Sequence, residues 1–116
     1  MDFKDNQAIY LQIADLMCEN ILLKKWPENE KIPSVRQLAM ELEVNPNTAM
    51  RTYTYLQERE IIFNKRGIGF FVETDGYNKA RALIKEKFIK SELPRFFKLI
   101  DLLQMDFDEV LSFKKS

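Results

Sequence analysis

Two helix-start signals stand close together in this chain, and their spacing restricts the fold more than any other feature. At Pro33-Ser34-Val35-Arg36-Gln37, a serine followed three residues later by a glutamine forms a capping box. At Val44-Asn45-Pro46-Asn47-Thr48, Asn45 can cap a helix and Pro46 suits its first position, where the amide needs no partner. Between the two signals, Val35, Leu38, Ala39 and Leu42 make one apolar face, and after the second Ala49, Tyr53 and Leu56 make another. Only the few residues around Glu43 are left to join the helices, and so short a turn forces a compact helix-turn-helix crossing.

The flanks complete the architecture. Ile9, Ile13, Met17 and Ile21 recur every fourth residue with Leu16 beside them, which predicts an amphipathic helix from about Gln7 to Lys24, stopped at Trp26-Pro27. Ile61-Ile62-Phe63 and Ile68-Gly69-Phe70-Phe71-Val72 flank Asn64-Lys65-Arg66-Gly67, which reads as a β-hairpin, or wing, with Gly67 supplying a positive φ in its turn. Beyond Gly76, helical spacing resumes at Ala80, Leu83, Ile84 and Phe88. Pro94 predicts a fresh helix start, and a last short helix is expected over 107–113. The fold class expected is α+β, mainly helical: a winged helix-turn-helix domain over 1–75 followed by a small helical dimerisation tail over 76–116.

Several classes of function fall away on composition. A chain of 116 residues carries one main core and a short appendage. It has no histidine and a single cysteine, Cys18, so internal disulfides, Cys/His zinc sites and histidine-base catalysis are excluded, and Cys18 reads as a packed thiol. No phosphate-cradling glycine loop is present and no cofactor is indicated, so an enzyme is not expected. No apolar run approaches a membrane span, and Met1-Asp2-Phe3-Lys4-Asp5 lacks the layout of a signal peptide, which leads to the expectation of a cytoplasmic protein.

Charge argues locally rather than globally. The 18 basic and 18 acidic side chains cancel, and residues 1–74 hold 9 basic against 11 acidic groups. Yet Val44 to Gln57 contains no acidic side chain, as a surface approaching phosphates requires. Asn45, Asn47, Thr48 and Arg51 lie in the first two turns of that helix, the part that enters the major groove in helix-turn-helix proteins. There Arg reads guanine and Asn reads adenine. Ser34 and Arg36 at the preceding helix start, and Lys65, Arg66 and Gly67 on the wing, complete the candidate contact set, holding phosphates or probing the minor groove. In the tail, Phe88, Phe96, Phe97, Leu99, Ile100 and Leu103, with Leu102, surround the helix more widely than one small core covers, which marks them as a dimer interface.

Four strings, Ala8-Ile9-Tyr10-Leu11-Gln12-Ile13, Lys31-Ile32-Pro33-Ser34-Val35-Arg36-Gln37-Leu38-Ala39, Val44-Asn45-Pro46-Asn47-Thr48 with Arg51 and Tyr53, and Arg66-Gly67-Ile68-Gly69-Phe70-Phe71-Val72, occur in order. The chain resembles the winged-helix domain of the GntR family of transcription regulators, and its short tail is similar to that of the YtrA branch. The resemblance implies a homodimer on palindromic double-stranded operator DNA, acting as a repressor, with Ser34, Arg36, Asn45, Asn47, Thr48, Arg51, Arg66 and Gly67 as contacts. Ala8 stands where that family usually has proline, Lys25 where it has glycine, Glu28-Asn29 where it has Pro-Gly, and Glu60 where it has glycine. These departures fall in turns rather than at contact positions. The alternative is a winged-helix protein-interaction module without DNA binding, which the zero net charge and Glu58 and Glu60 beside the wing favour. No polar cluster in 77–116 indicates a small-molecule effector.

Overall fold

The computed structural model describes residues 7–115; the Met1 to Asp5 segment, read above as no leader, lies outside it. The elements follow in the order α1 (Ile9–Leu22), α2 (Val35–Leu42), α3 (Pro46–Glu58), β1 (Ile62–Lys65), β2 (Gly69–Val72), α4 (Gly76–Lys87), a π-helical turn (Phe88–Glu92), α5 (Leu93–Leu103) and α6 (Phe107–Ser112). Among the described residues, they form two compact units, one reaching Ile84 and one beginning at Lys85.

In the first unit, α1 turns Ile13, Ala14, Met17, Cys18 and Ile21 inward against Leu38 of α2, Tyr53 and Leu56 of α3, and Ile61, Ile62 and Val72 of the hairpin. Cys18 is fully buried, as a packed thiol should be. β1 and β2 pair antiparallel with Phe63 opposite Phe71 and Lys65 opposite Gly69. The segment before α2 runs along the other edge of β2: Ile32 donates to the Phe70 carbonyl at 2.9 Å and Val72 donates to that of Glu30 at 3.1 Å. The first turns of α4 belong to the same core, with Ala80 buried and Tyr77, Leu83 and Ile84 packed against it. At Gly76 a Cβ would sit 2.7 Å from Val72 Cγ1 and 2.8 Å from the Ile61 carbonyl oxygen, so only glycine lets α4 start this close to the sheet.

Helix ends show a repeated device. Past α1, Lys24 takes a left-handed φ of 60°, its amide donates to the Ile21 carbonyl and the Lys25 amide to that of Asn20, which together make a Schellman motif. Glu43 after α2, Glu60 after α3 and Gln104 after α5 repeat it with φ of 55°, 58° and 56°. None of the four is glycine. The first helix is therefore shorter at both ends than Gln7 to Lys24, and the chain turns at Lys24, before Trp26-Pro27 is reached. Its stripe is also narrower than the periodicity predicts, because Ile9 is 57% exposed and Leu16 40% exposed.

In the second unit, helical rotation continues from Lys87 through the π turn to Leu103 rather than restarting at Pro94. The Leu93 amide bonds to the Phe88 carbonyl, five residues back. Pro94 has no amide hydrogen and its ring crowds the carbonyl one turn earlier, and the wider π turn accommodates both effects without breaking the helix. Asp106 then caps α6, its carboxylate accepting from the Glu109 amide at 2.8 Å. No helix among the described residues is long and apolar enough to cross a membrane.

Candidate nucleic-acid interface

The helix pair is locked at both starts by its own side chains. Ser34 Oγ accepts from the Gln37 amide at 3.1 Å and Gln37 Oε1 accepts from the Ser34 amide at 2.9 Å, which closes the capping box. Asn45 Oδ1 accepts from the Asn47 amide at 2.8 Å, so this side chain is committed to capping α3. Arg36 is exposed on the first turn of α2.

α3 divides cleanly into two faces. Ala49, Thr52, Tyr53 and Leu56 are buried. Asn47, Met50, Arg51 and Thr54 are exposed, and Thr48 is half-buried. Burial of Thr52 is compensated because its hydroxyl donates to the Tyr10 carbonyl at 2.7 Å. Burial pushes the Tyr53 phenol well above its ordinary value, with nearby Glu41 adding to the shift, and the proton it keeps is given to the Pro33 carbonyl at 2.5 Å. The exposed face is free of acids along its length, although Glu41 and Glu43 lie just before it at the end of α2.

Asn47, Thr48 and Arg51 come together in one shallow surface cleft whose other wall is Ala8, Ile9 and Tyr10 at the start of α1. The Arg51 guanidinium lies flat over the Tyr10 ring, 3.9 Å from its centroid. Ser34, Asn45, Arg36 and the wing residues lie outside this cleft. On the wing, the Ile68 amide donates to the Lys65 carbonyl at 2.9 Å and Gly67 has φ +80°, leaving Lys65, Arg66 and Gly67 exposed at the tip. Lys65 Nζ stands 4.9 Å from the Phe71 ring centroid, and Phe71 stacks on Phe63.

Two residues were not singled out individually by sequence reasoning. Tyr10 appeared only within a motif string, because its contact with Arg51 depends on how α1 crosses α3. Lys31 bridges to Phe71, and its Cε lies 2.9 Å from where a Gly69 Cβ would be. Lys31 and Lys65 therefore share the outer face of the sheet, and the glycine that makes room for Lys31 was the available signal. Among the described residues no group of His, Cys, Asp and Glu is placed to hold a metal.

Within the second unit, the tail residues separate into two sets. Ile100 is the buried side chain of α5, at 9% exposed, which removes it from any surface available to a second molecule. Phe88, Phe96, Phe97, Leu99 and Leu103 are exposed, as are Leu102, Phe107, Leu111 and Phe113.

A tight helix-turn-helix whose second helix presents a polar, acid-free face beside a two-stranded wing defines a DNA-binding winged-helix fold. Residues 9–72 match the family described as bacterial regulatory proteins of the gntR family. The chain belongs to that family and is a GntR-type transcription regulator. It is 34% identical over 111 residues to the uncharacterized HTH-type transcriptional regulator YhcF of Bacillus subtilis, covering 94% of this chain and 88% of that protein. It is 36% identical over 72 residues to the HTH-type transcriptional repressor YtrA of the same organism, covering 62% of this chain and 55% of that one. A crystal structure of a GntR-family regulator from Bacteroides thetaiotaomicron superposes with a TM-score of 0.71 at 47% identity, covering 90% of this chain and 91% of that one.

Proposed function

We propose that this regulator is a homodimeric repressor in which α3 reads a palindromic operator, Arg36 and the wing hold phosphates, and the exposed tail face pairs two copies. The observation that carries the reading is the α3 surface: Asn47, Thr48 and Arg51 gathered in one cleft on a helix face without a carboxylate. In this division of labour residues 1–75 supply the DNA contacts and 76–116 the pairing. Two copies related by a twofold axis would set two recognition helices against successive major grooves. Phe88, Phe96, Phe97, Leu99, Leu102 and Leu103 form more exposed apolar surface than an isolated short tail needs. The repressor role is supported by the relative named as one.

The reading as a protein-interaction module draws on the acids beside the wing. One of these, Glu60, is engaged by Lys79 at 3.0 Å, which softens its effect on an approaching phosphate. Affinity of the full chain for a duplex, titrated against salt, separates the readings. Counterion release predicts a linear fall in log affinity with log salt, with a slope near −0.9 for each phosphate neutralised, about −3 to −5 for the cations named here. No duplex binding at low salt, or a flat response, would favour the interaction module.

A further inference from the structure

Tyr10 has no part in the reading above, yet it meets α3 twice. Its carbonyl accepts from Thr52 Oγ1 at 2.7 Å, which pins the first turn of α1 to the buried face of α3. Its ring supports the Arg51 guanidinium at 3.9 Å. Tyr55 meets the other side of this arrangement, its ring edge-on to that of Tyr10 at 5.9 Å and 78°. Arg59 in turn covers Tyr55 at 3.7 Å. Arg51, Tyr55 and Arg59 follow one another at four-residue spacing on α3, so the contacts form a ladder of cation, ring, ring and cation along one helix face.

Stacking uses the face of a guanidinium and leaves its in-plane N–H groups unspent. Bidentate recognition of a guanine uses the edge. The two interactions are therefore compatible on one side chain, and the ring does in the free protein what DNA binding would otherwise have to do, restricting a long flexible arm to one plane. The same cleft holds Asn47 and Thr48, so the plane set by Tyr10 is shared with the other polar groups at the start of α3.

We propose that Tyr10 is a specificity-determining positioning residue, its ring holding the Arg51 guanidinium in the plane from which it reads a base. This rests on the reading of Arg51 as a base contact.

The test uses the full chain, a duplex selected by it from a random pool, and a scrambled duplex of equal length. Affinities for both are measured for Tyr10→Phe, Tyr10→Leu, Arg51→Ala and the Tyr10→Leu/Arg51→Ala double variant. Tyr10→Phe should keep the selected-to-scrambled ratio within about twofold, and Tyr10→Leu should lower it roughly tenfold, the order of one lost bidentate contact. The double variant should discriminate no worse than Arg51→Ala, because both remove one device. The Thr52 bond goes to a main-chain carbonyl and survives either side chain, so melting should change little. Should Tyr10→Leu not fold, the Arg51 Nε–H resonance of the unmodified protein carries the test: it should be ring-current shifted, and a random-coil position would overturn the proposal. An undiminished ratio in Tyr10→Leu beside a reduced one in Arg51→Ala overturns the positioning role alone. An undiminished ratio in Arg51→Ala, or failure to select any sequence, overturns the base-contact reading and this inference with it. A Tyr10→Phe defect as large as that of Tyr10→Leu would make the hydroxyl the active group and overturn the stacking account.

Discussion

The hydroxyl of Tyr53 donates to the main-chain carbonyl of Pro33 at 2.5 Å, tying the middle of α3 to the residue that launches α2. The same ring lies edge-on to Phe70 of the wing at 4.9 Å and 73°. One buried side chain thus joins the three elements that carry the candidate DNA contacts, and their relative placement rests on it.

Tyr53→Phe keeps the ring and removes the donor, leaving the Pro33 carbonyl short of a partner, and should cost about 1–2 kcal/mol in urea unfolding at neutral pH. The alkaline limb is more diagnostic. Burial raises the folded-state value of this phenol, so the native protein keeps a proton that the unfolded chain releases above about pH 10. The stability is fully present below that pH and is lost as pH climbs further, by up to about 1.4 kcal/mol per unit. Lys79, raised chiefly by its hydrogen bond to Glu60, loses stability in the same direction in both proteins. The difference between them isolates Tyr53: the unsubstituted chain should lose stability more steeply above pH 10, and parallel curves would contradict the account.

Glu43 and Glu60 occupy left-handed backbone that glycine adopts without cost, and Glu43→Gly should stabilise the fold by about 1 kcal/mol. Glu60→Gly should gain less, since it gives up the exposed pair with Lys79, worth a few tenths of a kcal/mol. The two should also differ on DNA. Glu43 stands in the turn just before the α3 cap, so its removal should tighten duplex binding, most at low salt. Thermal melts and binding on both variants check this, and a Glu43→Gly protein that melts lower would show the turn conformation is misread.

Arg51→Ala and Arg66→Ala should fail differently. Loss of Arg51 should remove about 1–3 kcal/mol from binding to a selected duplex and lower discrimination against a scrambled one. Loss of Arg66 at the wing tip should weaken both duplexes alike and make the salt slope shallower by about one unit. Both side chains are exposed, so melting should shift by no more than about 0.5 kcal/mol equivalent. Identical phenotypes in the two variants would remove the distinction between reader and wing.

Leu103→Glu places a charge on the exposed α5 surface. In a dimer held by that surface, the charge is desolvated on pairing, and sedimentation at micromolar concentration should show a shift toward monomer. The winged-helix unit should keep its far-UV spectrum. A variant as dimeric as the parent would place the interface elsewhere.

The parts of the fold legible in the sequence are those set by local chemistry. Ser34 with Gln37 and Asn45 with Pro46 mark helix starts because the capping groups lie within three residues of the amides they satisfy, and Gly67 marks the wing turn for a similar reason. The helix ends were harder to place because Lys24, Glu43, Glu60 and Gln104 close them without glycine, held by flanking hydrogen bonds rather than by intrinsic preference. Pro94 misled because a proline can be absorbed by a π turn as well as by a break. Periodicity marks Ile9, Leu16 and Ile100 as apolar but does not say which are covered. At the candidate site, residue types and charge pattern were readable, whereas the Tyr10 to Arg51 stacking joins positions far apart in the chain and exists only once α1 crosses α3.

Selection of duplexes from a random pool by the full chain tests the central claim most directly, because sequence reading and twofold pairing must both appear in the sequences recovered. The account predicts an inverted repeat whose half-sites are centred about 10–10.5 base pairs apart, or a multiple of that, as two recognition helices on one face of the duplex require. Recovery of no preferred sequence, or of a single half-site without its mate, would contradict it.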